Sequence, residues 1–578
     1  MRVLGRPLLW ILALALFLRL WGVGYALPQF FVNDERAGVY GALKMLELKT
    51  LVPAWHEDEF RSVLYYLPLP SYLYLAVLGP VLGAGYLVSG APDLPAYQHS
   101  LVLDPTLIFL AARALIALLG TASVYLAYRL GRAMFSSERA GLLAAIFLAV
   151  SFYHVQLSHV TRHWMPALVA LELAWLASVS ILRRGWVRDY LAAGLLAGLG
   201  VGANTAAAAA IVPAGLAHFF RPGQGPGARL GDRRLWLMAL AFAGVSLAFV
   251  ALYPYGLTQG EVGSEGAGTF LSQKLERLSS KSVGGWLGFL GYYGRLLFTY
   301  ETALALLALG GGAIAVRRYG RWLAMAAVFV LGYLSLLYLF FNIIQRGVLF
   351  ILPVLAVFAG YAADRLLLRL QSSVPPTRRG FYFLFSIFFL VLFGWPLAVT
   401  LRYDYLLAQP DTRLLAADWL YGNTPADAKI LAHLPYLRLA NTKAGIRTLE
   451  GIDPSGLRVQ DRALLQVPDE RYPGPSREVL NLHFVSPENR YRQEFDKRFF
   501  TAEGYRFFIV EYDLADRSDL GPQAAALVRG GALVARFAGS SSGAIGEAVD
   551  ISGEIAKIRP RQLFDLERFG KFVDVYEL

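Results

Sequence analysis

The chain has 578 residues with a net charge of +12; 56% of its residues are hydrophobic and only 17% are charged. A soluble protein of this length would be about a quarter charged, so the composition predicts a polytopic α-helical membrane protein. Many arginines lie in short loops between apolar runs, which predicts a role in membrane topology and excludes nucleic acid as the expected partner. Cysteine is absent, so no disulfide, thiol nucleophile or cysteine-bound metal enters the interpretation.

The chain opens with MRVLGRPLLWILALALFLRLWGVGYALP, a basic start followed by an apolar centre. A signal peptide has this pattern, but no convincing small-residue cleavage site follows, so we predict a retained first transmembrane helix. Residues 28–104 then form the first external loop. Within this loop, the apolar stretch 68–90 contains Pro68, Pro70 and Pro80, which predicts a broken or interfacial helix rather than a full crossing.

Basic clusters mark the ends of the later apolar runs. If all of them are cytoplasmic, the runs between them pair into outward and inward crossings. This topology predicts about eleven crossings in residues 1–401, with a second long external loop at 254–287. After the first helix, the predicted crossings are 105–128, 140–155, 164–182, 189–203, 205–220, 235–253, 288–315, 321–341, 346–366 and 380–401.

Residues 402–578 are rich in charge and contain no run long enough to cross a membrane. The stretch DTRLLAADWLYGNTPADAKIL has the pattern of an amphipathic helix ending near Gly422, followed by a turn and a strand. YRFFIVEYD (505–513) and FVDVYEL (572–578) also have the composition of strands. We therefore predict two domains: a transmembrane domain at 1–401 and a C-terminal extracytoplasmic α/β domain at 402–578.

The first external loop opens with FFVNDERAGVYGALKML, which places Asp34 and Glu35 soon after the first apolar run. Two interpretations fit this pattern. In one, Asn33 or Asp34 caps a helix whose early acidic residues suit the helix dipole. In the other, which we favour, the same stretch caps a helix and also carries chemistry.

Three further segments accompany this loop in a fixed order: YYLPLPSYLYLAVLGPVLG, then RALIALLGTASVYLAYRLGRAMFSSERAGLLAAIFLAVSFYHVQLSHVTRHWMP, and later QRGVLFILPVLAVFAGYAADRL. Together with DTRLLAADWLYGNTPADAKI, this order resembles the GT-C superfamily of polyprenyl-phosphate-dependent glycosyltransferases. The most similar members are the bacterial branch related to protein O-mannosyltransferases and the aminoarabinose transferase of lipid A. The resemblance covers most of residues 1–430 and rests on the order of the motifs.

The resemblance implies a sugar transfer on the external face, from a polyprenyl-phosphate sugar to a glycan, lipid or protein. It also implies that Asp34 is the general base, while Glu35 orients Asp34 or contacts the acceptor. A positioned carboxylate that takes the proton of a sugar hydroxyl accelerates transfer by roughly 10²–10⁴. One such base suffices for a single inverting displacement, whereas a retaining mechanism needs a second carboxylate.

His159, Arg162 and His163 lie in SHVTRHWMP, at the start of a predicted span. Many relatives carry an acid where this chain has Trp164, so a second loop carboxylate is missing. Two histidines four residues apart are compatible with a metal on one helix face, but no third ligand is evident and no cofactor is predicted. We favour all three side chains as donors to phosphate or sugar oxygens; a basic anchor at the span end is the alternative.

Arg346 stands at the external start of an apolar run, in NIIQRGVLF, against the usual distribution of positive charge. We favour a role in holding the lipid phosphate bidentately; snorkelling to headgroup phosphates is the alternative. HEDEFR (56–61) has the composition of solvated surface. YPYGLTQGEVGSEGAGTF (253–270) has the composition of a loop that orders over a lipid donor.

Other functions compete with this interpretation. A transporter of lipid-linked sugars would explain the many helices but not the external domain, and no inverted repeat is visible. An oligosaccharyltransferase would carry a WWDYG-type signature, which the sequence lacks. A non-catalytic scaffold stays open because of Trp164. The favoured interpretation is an enzyme of the bacterial plasma membrane whose active site and C-terminal domain are extracytoplasmic.

Overall fold

The computed structural model describes residues 5–222, 229–255, 278, 281–340, 345–372, 378–540 and 545–578. Its contacts divide the chain into two compact units. The membrane unit comprises Met1–Leu20, Asp34–Pro80 and Ala111–Leu401, and the tail unit comprises Trp21–Asn33, Val81–Leu110 and Arg402–Leu578. Two segments that precede the tail in sequence therefore cluster with it, and the predicted division at residue 401 stays a prediction.

The first 407 residues are almost entirely helical where the structure describes them. In chain order the helices are α1 Gly5–Leu20, α2 Glu35–Leu48, α3 Glu57–Arg61, α4 Leu69–Val88, α5 Leu94–Leu103, α6 Thr106–Phe135, α7 Glu138–Ala149, α8 Phe152–Leu157, α9 Trp164–Arg183, α10 Val187–Ala203, α11 Ile211–Phe219, α12 Arg233–Leu252, α13 Val283–Tyr300, α14 Thr302–Phe340, α15 Leu352–Ser372, α16 Arg378–Phe389 and α17 Trp395–Leu407. Three 3₁₀ segments and one π-helical segment supplement them, at Pro53–His56, Thr205–Ala210, Gln345–Ile351 and Leu390–Gly394.

Seven helical stretches within the described residues are long and apolar enough to cross a membrane. They are Leu69–Val88, Thr106–Phe135, Trp164–Arg183, Arg233–Leu252, Thr302–Phe340, Gln345–Ser372 and Phe383–Asn423. This confirms the polytopic helical class. The number of about eleven crossings stays a prediction, because shorter helices such as α1 and α10 form some of the predicted spans.

The prediction of a broken helix at 68–90 is wrong. The helix α4 continues without interruption through Pro80. An internal proline removes one backbone hydrogen bond, and helices inside a bilayer tolerate this when other groups satisfy the freed carbonyl. Whether α4 lies at the interface or crosses stays a prediction, although its length and composition are sufficient for a crossing.

The prediction of one continuous span at 288–315 is also wrong, because the helix is interrupted at Glu301 between α13 and α14. The Glu301 carboxylate accepts hydrogen bonds from Ser151 Oγ at 2.7 Å and from the backbone N–H of Tyr153 at 3.2 Å. The backbone turns a second time inside α14, at Tyr319, where φ is −127° and ψ is 28°. The first of these interruptions depends on partners about 150 residues away, which hydrophobic periodicity does not report.

Helices α10 and α12 approach each other closely through small residues. Gly194, Gly198 and Gly202 recur every four residues on α10. A Cβ atom at Gly194 would lie 2.3 Å from the carbonyl oxygen of Met238, and one at Gly202 would lie 2.4 Å from the ring of Phe249. Small residues at this spacing allow helix backbones to pack tightly in a membrane, which explains why this short, glycine-rich stretch still forms a helix of 17 residues.

The tail contains six more helices and one five-stranded sheet. The helices are α18 Thr412–Asn423, α19 Lys443–Ile452, α20 Val459–Gln466, α21 Arg490–Gln493, α22 Lys497–Ala502 and α23 Pro522–Gly530. The strands are β1 Lys429–His433, β2 Glu478–Asn481, β3 Tyr505–Tyr512, β4 Ala532–Phe537 and β5 Phe572–Glu577.

The strand order in the sheet is β2-β1-β3-β5-β4. The first three strands are parallel, whereas β5 pairs antiparallel with both β3 and β4. The predicted helix after residue 410 and the predicted strands at β1, β3 and β5 are confirmed, and with them the α/β class of the tail. Strands β2 and β4, which lie at the two edges of the sheet, were not predicted.

Candidate active site

Asp34 occupies the N-cap position of α2, but its side chain makes no capping hydrogen bond. Its backbone is left-handed, with φ 56° and ψ 2°. This conformation is costly for residues other than glycine and concentrates at functional sites. The side chain is 45% exposed. Capping alone therefore does not explain Asp34.

One carboxylate oxygen of Asp34 is held by two donors. Tyr66 Oη donates to Oδ2 at 3.0 Å, and Arg162 Nη1 lies 3.1 Å from the same oxygen. Arg162 Nη2 also donates to Tyr66 Oη at 3.0 Å, which closes a triangle of polar contacts. No hydrogen bond to Oδ1 is present among the described residues. The arrangement therefore orients the carboxylate and leaves its second oxygen available to a further partner.

Arg162 reaches Asp34 from the loop between α8 and α9. Arg162 is only 3% exposed, and its guanidinium carbon lies 5.1 Å from the centre of the Tyr66 ring. A guanidinium that is this deeply buried needs charged and polar partners to offset the loss of hydration. Asp34 and Tyr66 supply them, so the three side chains are mutually dependent.

Glu35 lies behind this group and is fully buried. Arg113 binds its carboxylate bidentately, with Nε 2.7 Å from Oε1 and Nη2 2.8 Å from Oε2. The backbone N–H of Thr161 donates to Oε1 at 3.2 Å, and the Thr161 hydroxyl donates to the Glu35 carbonyl at 2.8 Å. Because neither carboxylate oxygen is exposed, contact with an acceptor does not fit this structure. The geometry fits a positioning role: Glu35 ties the start of α2 to the loop that carries Arg162.

On the side of Tyr66 away from Glu35, the site continues with His163, Trp164 and Arg346. The Tyr66 and His163 rings lie 4.5 Å apart, and the His163 and Trp164 rings 4.7 Å apart. The Arg346 guanidinium carbon lies 5.6 Å from the centre of the Trp164 ring. Burial holds the pKa of His163, which precedes the span α9, well below its usual range, and the positive charges of Arg162 and Arg346 act in the same direction. The ring is therefore neutral near pH 7.

His159 is turned toward the preceding helix α8. Its Nδ1 lies 2.9 Å from the carbonyl oxygen of Val155, and the residue is 3% exposed. Of the predicted site residues, the structure thus brings together Asp34, Arg162, His163 and Arg346, with Glu35 behind them. The described residues contain no group of three or more side chains suited to hold a metal ion, so no step below is assigned to one.

The corner between α7 and α8, which precedes this loop, is held by buried polar contacts. Glu301 accepts hydrogen bonds at the start of α8, as described above. Arg19 donates to the carbonyl oxygens of Leu148 and Ala149, each at 3.2 Å, and Thr400 Oγ1 donates to that of Val150 at 3.1 Å. Satisfied buried polar networks make a structure rigid, so the loop of Arg162 begins from a fixed position.

Sequence reasoning missed Tyr66, Arg113 and Thr161. Arg113 left a signal: it is a lone charge in the apolar stretch of α6, and such a charge requires a partner. Tyr66 lies in the segment YYLPLP, which contributed to the family resemblance but indicated no contact with Asp34. Thr161 left no signal, because its role depends on its backbone N–H.

Two other segments singled out in the sequence lie outside the group. HEDEFR forms α3 and the turn before it; Arg61 pairs there with Glu57 at 2.7 Å, and Asp58 is 90% exposed. These positions are compatible with solvated surface. Most of 253–270, and most of the predicted external loop 254–287, lie outside the described residues, as do residues 341–344 before Arg346.

Residues 108–252 match the model of a family described as dolichyl-phosphate-mannose-protein mannosyltransferase. No curated protein is significantly similar to the chain. The match covers the part of the chain that carries Arg113, Thr161, Arg162, His163 and Trp164. It therefore includes the loop that holds Asp34 in place.

Three solved structures share part of the architecture. The oligosaccharyltransferase of Archaeoglobus fulgidus is 12% identical with a TM-score of 0.46, and the alignment covers 88% of this chain and 69% of the oligosaccharyltransferase chain. ArnT of Cupriavidus metallidurans, bound to undecaprenyl phosphate, is 13% identical with a TM-score of 0.44, covering 74% of this chain and 82% of its own. The mycobacterial arabinofuranosyltransferase AftD is 16% identical with a TM-score of 0.41, covering 99% of this chain and 41% of its own.

The family match confirms the resemblance to the GT-C superfamily. With the apolar spans, the match over residues 108–252 supports a multi-pass membrane glycosyltransferase.

Proposed function

We propose that the protein transfers a sugar from a polyprenyl-phosphate donor to an extracytoplasmic glycan, lipid or protein acceptor, with inversion and with Asp34 as the general base. The observation that carries this proposal is the geometry of Asp34: a half-exposed carboxylate with one oxygen bound by Arg162 and Tyr66. A general base must be oriented and must keep an acceptor oxygen for the proton that it takes. Oδ1, which accepts no hydrogen bond from the described residues, meets that requirement.

In the proposed step, an acceptor hydroxyl oxygen attacks the anomeric carbon while its proton passes to Asp34 Oδ1. The bond between that carbon and the phosphate oxygen breaks, and the polyprenyl phosphate leaves with the bonding electrons. Arg162 and Tyr66 hold the carboxylate in line with the hydroxyl throughout. Positioning of this kind accounts for a large part of the acceleration in enzymes.

Inversion is supported by the carboxylates near the reacting group. A retaining mechanism needs a second carboxylate as nucleophile, about 5–5.5 Å from the first. The neighbouring carboxylate, Glu35, is fully buried and bound by Arg113. It is therefore unsuited to attack a sugar, and a single displacement with one base fits the site better.

The leaving phosphate is assigned to Arg346. Arg346 stands at the start of the 3₁₀ segment Gln345–Ile351, beside Trp164. A guanidinium stabilises the negative charge that develops on a departing phosphate through paired hydrogen bonds. The neutral His163 lies next to Arg162 and beside the Trp164 ring. We propose that it forms hydrogen bonds with oxygen atoms of the sugar donor. His159 is proposed only as a support for the loop.

The proposal is tested with purified protein and a panel of polyprenyl-phosphate sugars in native-lipid extract. Asp34→Asn is expected to lower turnover by roughly 10²–10⁴-fold while the protein stays folded and donor binding persists. The matched control is Asp58→Asn, a carboxylate of the same loop that is 90% exposed and should leave turnover unchanged. If Asp34→Asn keeps its activity, Asp34 is not the base. If wild type consumes no donor in the panel, the transfer reaction itself is wrong and transport is measured next.

A further inference from the structure

The tail unit contains a buried cluster of charges that the proposed reaction does not use. Asp411, which caps α18, receives two guanidinium hydrogen bonds from Arg413, both at 2.8 Å, and one from the hydroxyl of Tyr25 at 2.5 Å. The Arg413 guanidinium carbon lies 3.8 Å from the centre of the Phe31 ring. Both Asp411 and Arg413 are at most 1% exposed. The pair therefore neutralises itself in the interior, as buried charges require.

Glu511, beside this pair, lacks such a partner. Asp550 has partners on one oxygen only: its Oδ1 accepts hydrogen bonds from the backbone N–H and the hydroxyl of Ser552, at 3.3 and 2.9 Å. Glu511 is only 6% exposed, and neither of its carboxylate oxygens has a hydrogen bond within the described part of the chain. Asp550 Oδ2 and Arg413 Nη1 also have no hydrogen bond there, although these two atoms lie 3.5 Å apart. Buried polar atoms are almost always hydrogen-bonded in native proteins, and each exception calls for an explanation. Here the unpaired atoms are grouped, which points to a group supplied by a ligand.

The cluster lies at the place where open α/β sheets bind ligands. Strand β1 has β2 on one side and β3 on the other, so the connections reverse direction between β1 and β3. Ligands bind outside the carboxyl ends of the strands at such a switch point. Glu511 is the penultimate residue of β3, and Tyr436 follows the end of β1. Lys571 directly precedes the antiparallel strand β5, which brings it to the same edge, where it pairs with Asp513 at 2.8 Å.

The cluster opens to solvent at its rim. The side chain of Asp513 is 50% exposed and that of Lys571 is 14% exposed. Tyr436 is half-buried, and its ring centre lies 5.9 Å from the Arg413 guanidinium carbon and 5.8 Å from Lys571 Nζ. A partly exposed aromatic face therefore adjoins the buried charges.

The charges restrict the chemistry of the ligand. An anion would meet Asp411, Glu511 and Asp550, and an ammonium group, which only donates hydrogen bonds, would leave Arg413 Nη1 without an acceptor. An apolar ligand would leave the buried oxygens unpaired. Hydroxyl groups carry no charge, and each of them both donates and accepts hydrogen bonds. They fit a site that offers carboxylate acceptors together with a guanidinium donor.

We propose that this edge of the tail unit is a carbohydrate-binding site. Glu511 and Asp550 accept hydrogen bonds from sugar hydroxyls, Arg413 donates one, and Tyr436 supplies a flat face for the sugar ring. The ligand is a neutral, polyhydroxylated chain or monosaccharide unit. The site is independent of the transfer reaction proposed above, because none of its residues takes part in that reaction.

The test uses the full-length protein in detergent and three neutral trisaccharides: maltotriose, cellotriose and a linear mannotriose. Binding is followed by saturation-transfer NMR and calorimetry. Wild type is expected to bind at least one of them saturably, with Kd below roughly 10 mM. Glu511→Gln should weaken this binding by at least about tenfold, because an amide donor replaces one of the two acceptor oxygens. Tyr436→Ala should weaken it as well, whereas Asp34→Asn should not.

Three results would overturn the proposal. The first is that no trisaccharide binds wild type at that concentration. The second is that a folded Glu511→Gln protein binds as wild type does. The third is that Asp34→Asn loses binding while Glu511→Gln keeps it, which would place the sugar in the active site. If Glu511→Gln does not fold, Tyr436→Ala at the rim decides by itself. Turnover is not measured, so failure of the transfer reaction would leave this test intact.

Discussion

Asp34 in the membrane unit and Glu511 in the tail unit are carboxylates in opposite situations. Asp34 is 45% exposed and has Tyr66 and Arg162 on one of its oxygens. Glu511 is 6% exposed and has no hydrogen bond among the described residues. Asp34 is oriented by protein donors and keeps one oxygen that can accept a proton. The carboxylate of Glu511 has no hydrogen-bond donor among the described residues. The difference shows that exposure and hydrogen bonding together, rather than the residue type, decide what a carboxylate does.

The largest effect is expected from removing the support behind Asp34. Arg113→Ala leaves the Glu35 carboxylate buried without its guanidinium, and breaking such a pair costs about 3–5 kcal/mol. The apparent Tm in detergent should fall accordingly. The double variant Glu35→Leu/Arg113→Met removes both charges and should recover most of the loss. An unchanged Tm in Arg113→Ala would show that the buried pair does not support the fold.

The second effect is the pH dependence of stability that Glu511 causes. Burial raises the pKa of Glu511 to about 7, whereas the unfolded carboxyl titrates near its ordinary value of about 4.3. Between these values the folded protein holds a proton that the unfolded chain has released, so this contribution to stability falls as pH rises through the window. It is lost completely above pH 7.

Glu511→Gln removes that dependence. The variant should be more stable than wild type at about pH 8, by a few kcal/mol at most, and should match it at about pH 5. Melting curves of the two proteins at both pH values measure the difference. Comparison of the two proteins at equal pH also cancels the opposite contribution of His433, whose pKa burial lowers to about 4. A variant that is less stable at the higher pH would show that ionised Glu511 is satisfied in the fold.

The smallest effect tests the orientation of Asp34. Tyr66→Phe removes one of the two donors to Oδ2 and leaves the ring in place. One hydrogen bond to a charged group corresponds to about tenfold in kcat, with KM nearly unchanged and a fall in Tm because Arg162 loses one acceptor. Tyr65→Phe is the matched control, since the Tyr65 hydroxyl donates to the carbonyl oxygen of Ser62 and not to Asp34. Equal kcat in the two variants would remove Tyr66 from the catalytic group.

Much of the architecture was predictable because it depends on local pattern. Apolar runs of membrane length identified most of the helices, and the composition of two tail segments identified β3 and β5. The predictions failed where a distant partner decided the outcome. The span 288–315 is divided because Glu301 binds Ser151, 150 residues away. Residues 21–33 cluster with the tail, although Asn33 precedes Arg402 by 402 − 33 = 369 positions.

The candidate site divides in the same way. The position of Asp34 at the opening of an external loop, and the basic loop that contains Arg162, were visible in the sequence. Their contact through Tyr66 was not, because Tyr66 lies 32 residues from Asp34 and 96 from Arg162. Glu35 and Asp34 are adjacent in sequence, yet only the structure shows that one is buried against Arg113 and the other is exposed.

The sequence by itself therefore determined the membrane class, the α/β tail, the family resemblance and the residue predicted to act as base. These properties follow from composition, periodicity and short motifs, which neighbouring residues in the chain carry together. Only the tertiary structure decided which carboxylate is held ready and which is buried, and where unpaired charges meet at the edge of the tail sheet. The reason is that burial and hydrogen-bond satisfaction depend on residues from distant parts of the chain, and their free energies exist only once those parts have packed together.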